Sequence, residues 1–206
     1  MHYPRHGKPA PTPGVCDPTL DDDVRHFGET GWSLSSSVVY RVNYSSIPSS
    51  VSNANARTAI RNSFQVWQNQ TGGKVTFTEG APTSIKSAKY DGVRVVAWGN
   101  VRSPNAIAVT YTWYTSSGQV LDQDTIMNAR LPWAYSSVRN PDETCGNLYS
   151  YDAQNILTHE IGHWMGLDDL YESVDQDLTM YGYGDKGELK KDTLGKGDRL
   201  GIAELC

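Results

Sequence analysis

Apolar residues change their spacing along the chain, and each change marks an element. Val38 to Tyr44 (VVYRVNY) is β-branched and aromatic, which predicts a strand broken by Ser-Ile-Pro-Ser-Ser. Ala56, Ala59, Ile60, Ser63, Phe64 and Trp67 recur at helical spacing. They predict an amphipathic helix over 53–70, capped by Ser52 or Asn53 and stopped by Gly72-Gly73. Val75 to Thr78, Val93 to Trp98, Ala106 to Tyr114 and Gln119 to Asn128 read as strands, with a Ser-Ser-Gly turn at 116–118. Asp152 to Leu167 reads as a second helix ending at Gly166, and Lys196 to Cys206 as a short third. The order strand, helix, strands, helix, loop, helix predicts an α+β fold, a twisted sheet with helices packed on one side.

A chain of 206 residues, 38% hydrophobic and 20% charged, can bury a core as one domain and is not disordered by composition. A net charge of -5 excludes the basic face of a nucleic-acid binder. No apolar run is long enough for a membrane span. A monomer is expected. Residues 1–15 hold four prolines and little to bury, so 1–37 is expected as an N-terminal extension, partly disordered or a propeptide remnant. Residues 38–206 are then the functional domain. The extension has no apolar signal-peptide segment, as in a mature form, and the Ser, Thr, Asn, Tyr and Gly content points to a secreted, extracellular protein. Cys16, Cys145 and Cys206 have no CxxC spacing. Export implies one disulfide plus one odd thiol, with the pair left open; three unpaired thiols are the alternative.

The chemistry is carried by HEIGHWMGLDD, residues 159–169. His159 and His163 lie four apart on a helix, so both imidazoles leave one face, an arrangement that suits zinc. Glu160 lies a hundred degrees around, where it can take a proton from a metal-activated water without being a ligand. A chance HExxH on an exposed helix is opposed by the apolar neighbours Ile156, Leu157, Ile161 and Trp164. Catalytic zinc needs a third protein ligand and an open position. Gly166 suits a sharp reversal after the helix, and Asp169 follows it as the favoured third ligand. Asp168, Glu172 and Asp175 compete for that place. A non-catalytic secreted binding module that keeps a metal helix is the alternative function, although no fourth Cys or His lies near to close a structural site. Six Trp and twelve Tyr hint at a binding surface, but Trp67, Trp98, Trp113 and Trp164 fall at core positions.

HExxHxxGxx plus a ligand, followed by Leu178-Thr179-Met180-Tyr181, resembles the metzincin metallopeptidases with their methionine turn. The closest likeness is to matrixins, and the Asp in place of a third His is similar to the snapalysin family. Phe64, Trp67 and Val75-Thr76-Phe77 resemble the first helix and second strand of matrixins. Asp124, Ile126, Asn128 and Trp133 resemble a segment ahead of the active-site helix, and Asp198, Gly201 and Ile202 the C-terminal helix. The resemblance implies a metzincin-like mixed sheet with two main helices. It implies a zinc endopeptidase cutting extracellular polypeptides, with Glu160 as general base and Met180 as an apolar floor. It further implies that Tyr181 and Tyr183 wall the substrate pocket, and that substrate adds to the sheet edge near Ala106 to Thr110. No structural zinc is expected, since the other histidines, His2, His6 and His26, lie near the N-terminus. Calcium on Asp122 and Asp124 is a second candidate ion, against ordinary strand-surface charge. Pro13 to Pro18 loosely resembles the matrixin latency motif; Cys16 could act there or in a disulfide with Cys145 or Cys206.

Overall fold

A computed structural model describes residues 2–4, 23–34, 36–136 and 147–206. Cys16, Cys145 and the Pro13 to Pro18 segment lie outside the described residues, and Cys206 carries a free thiol.

Strand β1 is Tyr3–Pro4 and β2 is Val38–Val42. In β2 the branched and aromatic residues alternate, so Val38, Tyr40 and Val42 are buried while Val39 and Arg41 face solvent. The strand was expected to reach Tyr44. Instead Asn43 O accepts from Ser46 N–H and Ser46 Oγ, and Tyr44–Ser46 form a 3-10 turn. Helix α1, Asn53–Gln70, starts where Ser52 Oγ accepts from Asn55 N–H and stops before Gly72 and Gly73, both at positive φ. Then follow β3 (Phe77–Glu79), β4 (Val95–Gly99), β5 (Ala108–Tyr114) and β6 (Val120–Asn128).

These strands make one mixed sheet in the order β3-β2-β4-β6-β5. All its pairs are parallel except β5 with β6, which turn through Gly118 at φ 82. The β5 strand is therefore a sheet edge. Two further short strands, β7 (Trp133–Ala134) and β8 (Tyr151–Asp152), pair in parallel and lead into helix α2, Ala153–Met165. The last elements are β9 (Tyr183–Gly184), which pairs in parallel with β1, and helix α3, Lys196–Leu205.

Every residue of β4 is buried, because both sheet faces are covered. Val96 and Trp98 join the main core with Ala56, Ile60, Phe64 and Trp67 of α1 and with α2. Val95 and Ala97 point the other way, into a smaller cluster roofed by Ile85, Ala88 and Val93 of the β3–β4 loop. So helices cover one face, as the α+β reading expects, and a loop covers the other. That loop is held by Asp122 and Asp124, which are buried rather than displayed on the strand surface. Asp122 Oδ2 accepts from the N–H groups of Asp91 and Gly92, and Asp124 from those of Lys89 and Val95. Burial raises the Asp124 pKa to about 7. The two acids form no candidate ion-binding group among the described residues. Trp113 is half-buried, and its ring stacks with those of Tyr90 and Tyr111 instead of entering the core.

Candidate metal centre

Helix α2 is buried along its whole length, yet it carries several polar residues. Each buried polar group therefore needs a partner. Asp152 caps the helix, its Oδ1 accepting from Gln154 and Asn155 N–H. Thr158 O accepts from Trp67 Nε1 at 2.7 Å, and Asn155 Oδ1 accepts from Lys191 N–H at 2.8 Å. At the far end Gly166 reverses the chain at φ 104; a Cβ there would collide with Trp32 O. Trp32 Nε1 donates to His163 O, and Thr30 donates to Gly166 O through its N–H and its hydroxyl. Thr30 and Trp32 thus satisfy two of the carbonyls that the helix end leaves open.

The two imidazoles are oriented by backbone carbonyls. His159 Nδ1 bonds to Thr179 O at 2.7 Å, and His163 Nδ1 to Leu167 O at 2.8 Å. A carbonyl can only accept, so both Nδ1 atoms carry hydrogen and both Nε2 atoms are left for a ligand role. Both Nε2 atoms face Asp169 Oδ1, at 3.1 and 3.5 Å. Burial pulls the pKa of His159 down to about 3, so its Nε2 is a bare lone pair. Burial also opposes charge on His163, but Asp169 beside it prevails and raises its pKa, while Asp169 itself is held well below the usual carboxylate range. A lone pair 3.1 Å from a carboxylate oxygen is repulsive unless a cation lies between them. Two imidazole nitrogens and one carboxylate oxygen are a donor set that fits zinc, the cation taking the place of any proton on His163. Tyr171 hydrogen-bonds Asp169 from the outside, and its phenol pKa is raised by burial and by that carboxylate.

Glu160 is fully buried, and burial raises its pKa. Its Oε2 accepts from Thr110 Oγ1 at 2.6 Å, whereas Oε1 has no partner. The direction of the hydroxyl chain is fixed at the carboxylate, on which Thr110 spends its one hydrogen. Trp164 Nε1 donates to Thr125 Oγ1, leaving that hydroxyl to donate to Thr110, which donates to Glu160.

Beneath the site lies Met180, buried, with its sulfur against Gly162. A Cβ on Gly162 would overlap Met180 Sδ and lie 2.8 Å from Trp67 Cζ2, so only glycine admits this floor. Asp198 of α3 fixes the turn, accepting from the N–H groups of Thr179, Met180 and Gly195. Lys191 Nζ, also buried, donates to the carbonyls of Thr179 and Tyr181.

The structure brings His159, Glu160, His163 and Asp169 together over Met180. Asp168 is exposed, and its Oδ1 accepts from Asp169 N–H; Asp175 pairs with His26 at 2.7 Å, in a separate group that includes Glu172. Tyr181 and Tyr183 lie edge to face, with Tyr171 against Tyr183. Tyr183 belongs to β9, the strip opposite the β5 edge. Thr110, Asp198, Lys191 and His2 were not singled out as site residues from sequence. Thr110 fell within a strand and Asp198 within a helix, and both act through partners far along the chain. The signal that could have found Thr110 is a hydroxyl on the very edge expected to receive substrate.

A mixed sheet whose antiparallel edge strand borders an HExxH helix, with a glycine reversal and a methionine turn below, is the metzincin fold. The matrixin family model matches residues 31–206, and the chain belongs to the matrixin family. No curated protein matches the chain. Among solved structures it is similar to the crystal structure of metalloproteinase-II from Bacteroides fragilis, at 10% identity and a TM-score of 0.41. That match covers 93% of this chain, which spans 60% of the length of the other.

Proposed function

We propose that this protein is a zinc endopeptidase that hydrolyses internal peptide bonds of extracellular polypeptides, with His159, His163 and Asp169 holding the metal. The observation that carries the reading is the convergence of two carbonyl-anchored imidazoles on one carboxylate oxygen. The Asp169 ligand keeps the site one positive charge lower than three histidines would. When bound, zinc supplies Lewis acidity that polarises a carbonyl and acidifies water.

The chain supplies the rest. Thr110 holds Glu160 Oε2, which leaves Oε1 to take a proton from water and pass it to the departing amine. Burial keeps the Glu160 pKa raised, which suits a group that must both accept and return a proton. The main chain of the β5 edge offers N–H and C=O groups to an extended polypeptide, and Tyr181 and Tyr183 wall the opposite side.

The test measures zinc content and casein cleavage for the wild type and Glu160→Ala. Stoichiometric zinc in both, with chelator-sensitive cleavage only in the wild type, supports the proposal. Zinc without cleavage in either form indicates the binding-module reading. A folded wild type that takes up no zinc when offered it sinks the hydrolase proposal.

A further inference from the structure

Behind the metal centre a circuit of hydrogen bonds leaves helix α2 and returns to it. It starts at Asn155, fully buried, whose Oδ1 accepts from Lys191 N–H at 2.8 Å. The Lys191 side chain is fully buried as well, and its Nζ donates to Thr179 O at 3.2 Å and to Tyr181 O. Thr179 O in turn bonds to His159 Nδ1 at 2.7 Å. Asn155 and His159 are four residues apart on one helix face, so the circuit closes over a single turn of α2.

Burying an amine is costly, and the partners of Lys191 Nζ are carbonyls rather than carboxylates. An apolar side chain would fill the same space without that cost, so the amine matters for what it bonds. Its two acceptors bracket Met180. The peptide between Thr179 and Met180 is thereby held at both ends, its N–H by Asp198 Oδ1 at 3.1 Å and its carbonyl by Lys191. That carbonyl stands behind one imidazole only. His163 Nδ1 bonds instead to Leu167 O, outside the circuit.

We infer that Lys191 is a positioning residue for His159, with Asn155 holding it in place. The amine fixes the plane of the Thr179–Met180 peptide, the carbonyl of that peptide fixes the imidazole, and the imidazole presents Nε2 to the metal. This rests on the zinc reading of the site. Through Tyr181 O the same amine ties the ligand to the residue that follows Met180, so the floor and the ligand above it keep one register.

The experiment is proton NMR of the cobalt(II)-loaded wild type, Lys191→Met and Asn155→Leu, with cobalt standing in for zinc. The paramagnetic ion moves the Nδ1–H signals of its imidazole ligands away from the rest of the spectrum, so each can be followed alone. Lys191→Met keeps the bulk of the stem and removes the amine. Asn155→Leu keeps the amine and releases its backbone, and it carries the test if the first variant does not fold. In both, the His159 N–H is expected to shift and to exchange faster with solvent, while the His163 N–H stays as in the wild type. Competitive titration should show zinc affinity lower by about tenfold in Lys191→Met, the low end for loss of an outer-shell partner. Unmoved signals in the folded variants would overturn the inference. Equal changes at both imidazoles would overturn it too, because a merely structural role does not distinguish them. A wild type with no cobalt-shifted imidazole N–H defeats the zinc reading instead.

Discussion

Gly162→Ala should destabilise the protein, although it places alanine in a helix interior. By intrinsic propensity the change favours the helix by about 1 kcal/mol. Packing opposes it. The new Cβ would overlap Met180 Sδ, with Trp67 Cζ2 at 2.8 Å and Met180 Cε at 3.1 Å. The indole cannot retreat freely, because Trp67 is buried and its Nε1 is bonded to Thr158 O at 2.7 Å. Overpacking of this kind costs about 1–3 kcal/mol, and contact with two buried neighbours places it in the upper half of that range. The net loss is then about 1–2 kcal/mol, or roughly 2–8 °C in Tm for a chain of this size. Metal affinity should fall as well, because the turn pushed away by the methyl group carries Thr179 O, the acceptor that orients His159. Thermal unfolding of metal-free protein by circular dichroism reads the first effect, and competitive zinc titration the second. A Tm rise of about 2–4 °C, the outcome of propensity alone, would refute the packing argument.

Asp198→Asn replaces a carboxylate that accepts three N–H bonds with an amide that can match fewer, so a loss of about 2 kcal/mol or more is expected in chemical denaturation. Unchanged stability would show that the Met180 turn holds without it. Thr110→Val removes the donor on Glu160 Oε2, which stabilises the carboxylate, so the already raised Glu160 pKa should rise further. The acid limb of the kcat/KM profile is then expected at higher pH than in the wild type, and coincident profiles would count against the hydroxyl chain. Lys191, with its pKa lowered by burial from 10.5 to about 7, is protonated in the unfolded chain but neutral in the folded one between those values. Its contribution to stability therefore rises with pH across that window, by about 1.4 kcal/mol per unit, and falls as pH drops. Urea unfolding of Lys191→Met should show that slope missing, and parallel slopes for both proteins would contradict it.

The two main helices were legible because apolar residues recur at helical spacing, on one face in α1 and among buried polar groups in α2. Ala56 to Trp67 show it for α1, and Ile156, Leu157, Ile161 and Trp164 for α2. The local punctuation was equally readable: Ser52 and Gly166 sit at the caps they suggest. Strand ends were less so. Val75 is drawn out of β3 by its bond to Thr71 Oγ1, and Tyr44 out of β2 by Asn43. What periodicity cannot encode is a side chain reaching a backbone group far along the chain. Asp122 and Asp124 read as surface acids because nothing in their strand shows that a loop folds over them. His2 reads as part of a leader because the strands that receive it begin a hundred residues later.

Asp198 joins two parts of the molecule that are usually considered apart. One carboxylate starts the last helix at Gly195 and also suspends the turn under the metal centre. Loss of that first turn would let the floor sag and slacken the acceptor behind His159. A substitution that unwinds the first turn of α3 is therefore expected to loosen the floor and that acceptor together.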